Sequence, residues 1–147
     1  MFDLTGKVCV VSGGSRGIGL GMAEGLLMQG AAVQIWGTSA ERNADACRHL
    51  EAFGAHVSSQ VIDVTDEAQV VAGMQAAQSA FGRIDTVIAN AGGSFRSPSF
   101  VETNSEDWHQ TIALNLDGAF WTLREATRHM VERAKAGDLG GSLIGTA

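Results

Sequence analysis

The 147-residue sequence has no tyrosine, one proline, two cysteines and two lysines. Without tyrosine, no phenol within these residues can give or take a proton. Cys9 and Cys47 form neither a C-x-x-C pair nor a disulfide framework, which fits a reducing compartment and leads us to expect a cytoplasmic protein. His49, His56, His109 and His129 share no metal-ligand spacing with one another or with the cysteines, so no metal is expected. No apolar run approaches the roughly 18 residues of a membrane span, and residues 1–7 lack the basic and apolar regions of a secretory leader. Ten basic against sixteen acidic residues give a net charge of −6. That sign argues against a nucleic-acid partner or an anionic membrane, and Trp36, Trp108 and Trp121 read as packing. An apolar share of 45% with 18% charge is globular, and the length implies one domain.

What is abundant is glycine, 19 residues, set between alternating strand and helix patterns. Buried-strand runs occupy 7–11, 32–36, 57–62 and 84–89, and a fifth begins at 142–146. Between them lie helical periods. Ile18, Met22, Leu26 and Leu27 form one face, closed by Gly30. Ser39 caps a second helix running through Phe53, with Gly54 as its stop. Thr65 or Asp66 caps a third, whose face is Val70, Met74, Ala77 and Phe81, followed by Gly82. Residues 90–104 read as a loop. Thr103-x-x-Glu106 is a capping box for a long helix with Trp108, Ile112, Leu116, Phe120 and Leu123 on one stripe to about residue 130. Such alternation predicts an α/β fold: a Rossmann-type, doubly wound parallel sheet of strand order 3-2-1-4-5, cut after the fifth of six usual strands. Residues 1–147 are therefore expected to be an incomplete dinucleotide-binding domain.

Residues 12–19 read Ser-Gly-Gly-Ser-Arg-Gly-Ile-Gly, between the first strand and the first helix. The literal G-x-G-x-x-G is absent, but Gly13, Gly17 and Gly19 supply the same physics. Gly13 permits the tight turn, Gly17 a close backbone approach to pyrophosphate, and Gly19 close packing of helix on sheet. The helix N-terminus then offers free N–H groups to phosphate. A plain glycine-rich turn is the bland alternative. No Gly-Lys-Ser/Thr follows, which excludes a P-loop. From this loop alone an S-adenosylmethionine methyltransferase stays open.

Three further motifs follow in order. Asp63-Val64 ends the third strand, Ala89-Asn90-Ala91-Gly92 ends the fourth, and Asn115-Leu116-x-Gly118-x-Phe120 lies on the long helix. Together with the glycine loop they resemble the classical short-chain dehydrogenase/reductase family over the whole 147 residues, with Ser12 for the family's Thr and Ala89 for its first Asn. The methyltransferase alternative then falls away. The resemblance implies that Gly13, Ser15, Arg16 and Ile18 contact cofactor phosphates and ribose. It implies that Asp63 accepts from the adenine amino group with the Val64 backbone beside it. Asn90, in the Ala91-Gly92 motif, would support the sheet near the adenosine ribose. Asn115 would belong to the catalytic tetrad, bending its helix and holding a water. On residue type alone, Asp63 also fits a turn or cap, and Asn115 an ordinary polar helix position.

The departure from the family concerns its catalytic Ser and Tyr-x-x-x-Lys. By spacing, that Ser would fall one position past Ala147, and neither Lys7 nor Lys135 follows a Tyr. The resemblance thus implies an oxidoreductase moving hydride between NADP(H) and a ketone or secondary alcohol, of which this chain carries the cofactor half. A truncated, non-catalytic nucleotide-binding or interaction module is the alternative. NADP is expected over NAD because Gly37 stands where an NAD-selecting carboxylate would be, roughly 20 residues past the glycine loop. Arg16 resembles the basic residue of NADP-preferring members, and Thr38 and Ser39 are candidates to bond a phosphate. Residues 93–100, with Phe95 and Arg96, are expected along the substrate pocket. A small-molecule carbonyl or alcohol and a homodimer or homotetramer complete the implied partners.

Overall fold

The computed structural model describes residues 2–94 and 99–146. Its centre is a parallel five-stranded sheet: β1 (Val8–Ser12), β2 (Ala32–Gly37), β3 (Val57–Val61), β4 (Thr86–Ala89) and β5 (Ser142–Gly145). The strands lie in the order β3-β2-β1-β4-β5, as the alternating pattern predicts. Val8 stands opposite Ala32, Cys9 opposite Thr86, and Thr86 opposite Ser142.

Helices cover both faces of the sheet, which is why β1 reads as an unbroken apolar run. Because successive strand residues point to opposite faces, Cys9 and Val11 pack with Ala23 and Leu27 of α1 (Gly17–Met28) and with Ala46 and Leu50 of α2 (Ala40–Leu50). Val10 faces the other way, with Trp36 and Val87. It joins Val70, Met74 and Ala77 of α3 (Glu67–Phe81) and Ala126 of α5 (Gly118–Lys135).

Element ends follow local chemistry. Ser39 Oγ accepts from the Arg42 N–H and caps α2. This helix stops at Leu50, not at Phe53, because the next bonds tighten to three-residue steps, Ala52 N to His49 O and Phe53 N to Leu50 O. Of the two candidate caps for α3, Asp66 is the one used: its Oδ1 accepts from Ala68 and Gln69 N–H. Gly82, at φ +76°, ends α3.

The expected capping box is displaced by one residue. Asn104 Oδ1 accepts from the Asp107 N–H at 2.8 Å, while the Thr103 hydroxyl bonds the Ser99 carbonyl. Asn is the stronger N-cap, and it takes the position. The long helix is also not continuous. α4 (Ser105–Ile112) passes into a π turn, Ala113–Asp117, before α5 begins. On its stripe Trp108, Leu116 and Phe120 are exposed. No helix among the described residues is long and apolar enough to cross a membrane.

Candidate functional site

In the sheet order β1 lies between β2 and β4, and the chain passes from β1 to β2 on one side and from β4 to β5 on the other. The loops diverge there and open a crevice, the place where open α/β sheets bind ligands. A cleft of about 440 Å³ occupies it.

Its floor is built first by Ser12 and Asn90. Ser12 Oγ accepts from the N–H groups of Asn90 and Ala91, both at 3.0 Å. Asn90 Nδ2 donates to the carbonyls of Ser12 and Gly13. The glycine loop is thereby tied to the end of β4. Gly13 takes φ +65°, and a Cβ there would stand 2.9 Å from the Ala91 Cα. A Cβ on Gly19 would stand 2.4 Å from the Gly13 carbonyl oxygen. Both sites exclude a side chain so that α1 can start directly against the turn.

The cleft wall brings together Gly13, Ser15, Arg16, Gly17, Ile18 and Gly19 from the loop, Thr38 from the end of β2, Asp63 and Val64 after β3, and Asn90, Ala91 and Gly92 after β4. These are the expected cofactor residues with the exception of Ser39. Ser39 is not in this wall; its oxygen caps α2. The first turn of α1 holds no acidic residue, and the Arg16 side chain does not cap it. Its N–H groups and the positive end of the helix dipole are left for an anion.

Asp63 is engaged locally: Oδ1 accepts from the Thr65 N–H at 2.9 Å and its hydroxyl at 2.7 Å. This is the turn chemistry that its residue type also suggested. A side recess of about 380 Å³ is lined by Thr38, Asp63, Thr65, Gln110, Ala113 and Leu114.

Asn115 stands apart from the cleft wall, within the π turn. Its Oδ1 accepts from the Gly93 N–H at 3.0 Å, and its Nδ2 donates to the Gly93 carbonyl at 2.6 Å and the Thr111 carbonyl at 2.7 Å. The amide therefore clamps the segment after β4 to the helix interruption. Phe95 and Arg96, expected along the substrate pocket, lie outside the described residues.

The cleft is also lined by Gly37, the position read as lacking an NAD-selecting carboxylate, and by four residues that the motifs did not indicate: Trp36, Arg42, Ile62 and Leu114. Arg42 matters most. It is carried to the β2 end by the first turn of α2, where Ser39 holds its backbone. The guanidinium groups of Arg16 and Arg42 have no partner among the described residues. Asp63 is the one carboxylate in this wall, so the cleft is locally cationic in a chain of net charge −6. No group of three or more His, Cys, Asp or Glu among the described residues could hold a metal ion.

The chain is similar to known proteins in sequence and fold. Gluconate 5-dehydrogenase of Gluconobacter oxydans is 38% identical over 135 residues, 92% of this chain and 52% of that protein. The NADP-dependent (R)-specific alcohol dehydrogenase of Lentilactobacillus kefiri is 37% identical, across 96% of this chain and 54% of its own. The crystal structure of a 3-ketoacyl-(acyl-carrier-protein) reductase from Brucella melitensis, complexed with NADH, superposes with a TM-score of 0.89 at 26% identity. It covers 99% of this chain and 58% of that one. The chain spans about half the length of the curated relatives it matches. The family model for short chain dehydrogenases matches residues 7–139, and the chain belongs to the short-chain dehydrogenase/reductase family.

Proposed function

We propose that these residues form the cofactor-binding half of an NADP(H)-dependent oxidoreductase acting on a ketone or secondary alcohol. The observation that carries this is the uncapped N-terminus of α1, free of acidic residues and opening into the cleft beside Arg16 and Arg42, which have no partner among the described residues. The helix end suits the pyrophosphate. Two guanidinium groups, with Thr38 between them in sequence and no carboxylate at Gly37, suit a 2′-phosphate. Asp63, with Val64, is assigned to the adenine edge, and the recess toward Gln110 and Leu114 has room for the ring.

NADP(H), when bound, would supply the hydride to a ketone, or as NADP+ accept it from an alcohol. Asn115 serves as a positioning residue, holding the segment after Gly92 against the helix interruption through Gly93. The catalytic Ser and Tyr-x-x-x-Lys of the family are not among these residues. In this proposal the whole protein supplies them and is a homodimer or homotetramer, which the exposed Phe120 and Val131 on α5 support. The relative from Lentilactobacillus kefiri is NADP-dependent by name, in keeping with the phosphate-binding argument.

The test is titration of the full-length protein with NADPH and NADH, followed by a panel of carbonyl substrates. We expect NADPH to bind at least about tenfold tighter, the effect of roughly 1.4 kcal/mol from the charged contacts. Arg16→Ala and Arg42→Ala should each erode that preference. Equal affinities would reject the NADP assignment. Tight NADPH binding without turnover of any carbonyl or alcohol would favour a non-catalytic nucleotide-binding module.

A further inference from the structure

Gly37 ends β2 at the corner of the cleft assigned to the adenosine ribose, and beneath it sits a side chain no motif pointed to. Asn43, on α2, is only 1% exposed. Its Nδ2 donates to the Gly37 carbonyl at 3.0 Å and to the Gln60 carbonyl at 2.9 Å. These bonds tie together the ends of β2 and β3. They also fix the amide orientation, because both partners are acceptors and only the NH2 group can serve them.

The other end of the amide is unusual. Oδ1 is buried and has no partner among the described residues, a state that few native polar atoms tolerate. It is turned toward the empty side of Gly37. A Cβ at position 37 would stand 2.4 Å from Asn43 Oδ1 and 2.9 Å from Ser15 Oγ. The serine hydroxyl is on a free rotor and can turn aside. The asparagine oxygen cannot, since moving it would pull Nδ2 off both carbonyls in a site closed to water.

We propose that Asn43 keeps position 37 free of a side chain, so that the Asn43–Gly37 pair, and not residue 37 alone, sets cofactor choice. This rests on the assignment of the cleft to the adenosine ribose of NADP(H). A carboxylate at 37 would bind the ribose 2′-OH and repel a 2′-phosphate. With Asn43 in place that carboxylate has no room, so no acidic side chain at 37 opposes a phosphate in the cleft that Arg16 and Arg42 line.

The experiment compares Gly37→Asp, Asn43→Ala and the double variant in the full-length protein, titrated with NADPH and NADH. Gly37→Asp alone should lose NADPH affinity by about tenfold or more without gaining NADH, because the displaced asparagine deforms the β2–β3 ends. Adding Asn43→Ala should raise NADH affinity about tenfold above that of the single variant, the scale of one good charged hydrogen bond. If Gly37→Asp binds NADH as well as the double variant does, the proposal is overturned.

A milder pair covers the case in which Gly37→Asp does not fold. Gly37→Ala should lower Tm by several degrees when Asn43 is present, and by much less in the Asn43→Ala background, as coupled neighbours do. Equal losses in both backgrounds would overturn the proposal. Wild-type protein that bound neither dinucleotide would overturn the cleft assignment and the selectivity claim with it. The melting cycle would still decide separately whether Asn43 excludes a side chain at 37.

Discussion

Ser12 and Asn90 are bonded through each other's backbone: Ser12 Oγ accepts from the Asn90 N–H at 3.0 Å, and Asn90 Nδ2 donates to the Ser12 carbonyl at 3.1 Å. The same hydroxyl takes the Ala91 N–H and points to the Ile88 carbonyl. One buried serine thus closes the end of β1 onto the end of β4, under the cleft. Ser12→Ala leaves two backbone N–H groups without their acceptor. We expect a stability loss of about 1–3 kcal/mol by urea denaturation and a weaker affinity for dinucleotide. An unchanged denaturation midpoint would mean that the two N–H groups find another acceptor.

Gly118 opens α5 in contact with Val64. A Cβ on Gly118 would stand 2.7 Å from Val64 Cγ2 and 3.2 Å from its carbonyl oxygen. This close approach seats the helix against the turn after β3, and so places Asp63 at the cleft. Gly118→Ala should cost about 1–3 kcal/mol, as other overpacked core sites do. Val64→Ala in the same chain should recover part of it. Calorimetric melting of the two single variants and the double variant measures the coupling; strict additivity would refute the contact.

The strands and the glycine loop were legible in the sequence because each rests on local signals: apolar runs of strand length, helical periods, and glycines where the backbone must come close; the strand order then followed from the doubly wound pattern of alternating strands and helices. The twelve residues expected at the cofactor, those of the motifs and Thr38, meet at one cleft because each lies just after a strand or in the first turn of α1. Arg42 and Asn43 were not legible. They lie inside an ordinary polar stretch of α2, and only the Ser39 cap and the packing of α2 under β2 bring them to the carboxyl end of β2. The family resemblance implied only a bend at Asn115, and the break in the long helix was not legible. Its apolar stripe keeps helical spacing across Ala113–Asp117, so periodicity alone shows no interruption. The displaced cap at Asn104 has a simpler cause: Thr103 and Asn104 are both good caps, and a spacing rule favoured the weaker one.

The two cysteines should react very differently. Cys9 is buried in β1. Burial pushes its thiol up, the Thr86 hydrogen bond lowers it and Asp85 raises it further, to about 11. The nucleophilic thiolate is therefore scarce at neutral pH. Cys47 is partly exposed on α2. Iodoacetamide at pH 8 should modify one thiol in the native protein, at Cys47, and both in urea. Mass spectrometry of the labelled peptides checks this, and rapid native labelling of Cys9 would show that β1 opens.

Acid should weaken the fold in two stages. At the base of β4, away from the cleft, Asp85 is held by Arg83 through both carboxylate oxygens, by the Val8 N–H at 3.0 Å and by Arg133 at 3.1 Å. Burial pushes the Asp85 carboxyl up, but these partners outweigh it and bring it down to about 2. A depressed carboxyl stabilises the fold above its unfolded value of about 4, and the gain of about 2 kcal/mol is lost as pH falls from there toward 2. His129 acts earlier. Burial, then Arg133, holds its imidazole below the ordinary value against the opposing pull of Asp85, and its neutral Nε2 accepts from the Ile84 N–H at 3.0 Å. Because the unfolded histidine binds its proton more readily, this contribution fades as pH drops below about 6.5. Urea midpoints measured from pH 8 to pH 2.5 should fall gently in the first window and steeply in the second. Asp85→Asn should destabilise the protein at pH 7 and flatten the steep limb. If that limb keeps its slope, some other carboxylate carries the acid sensitivity.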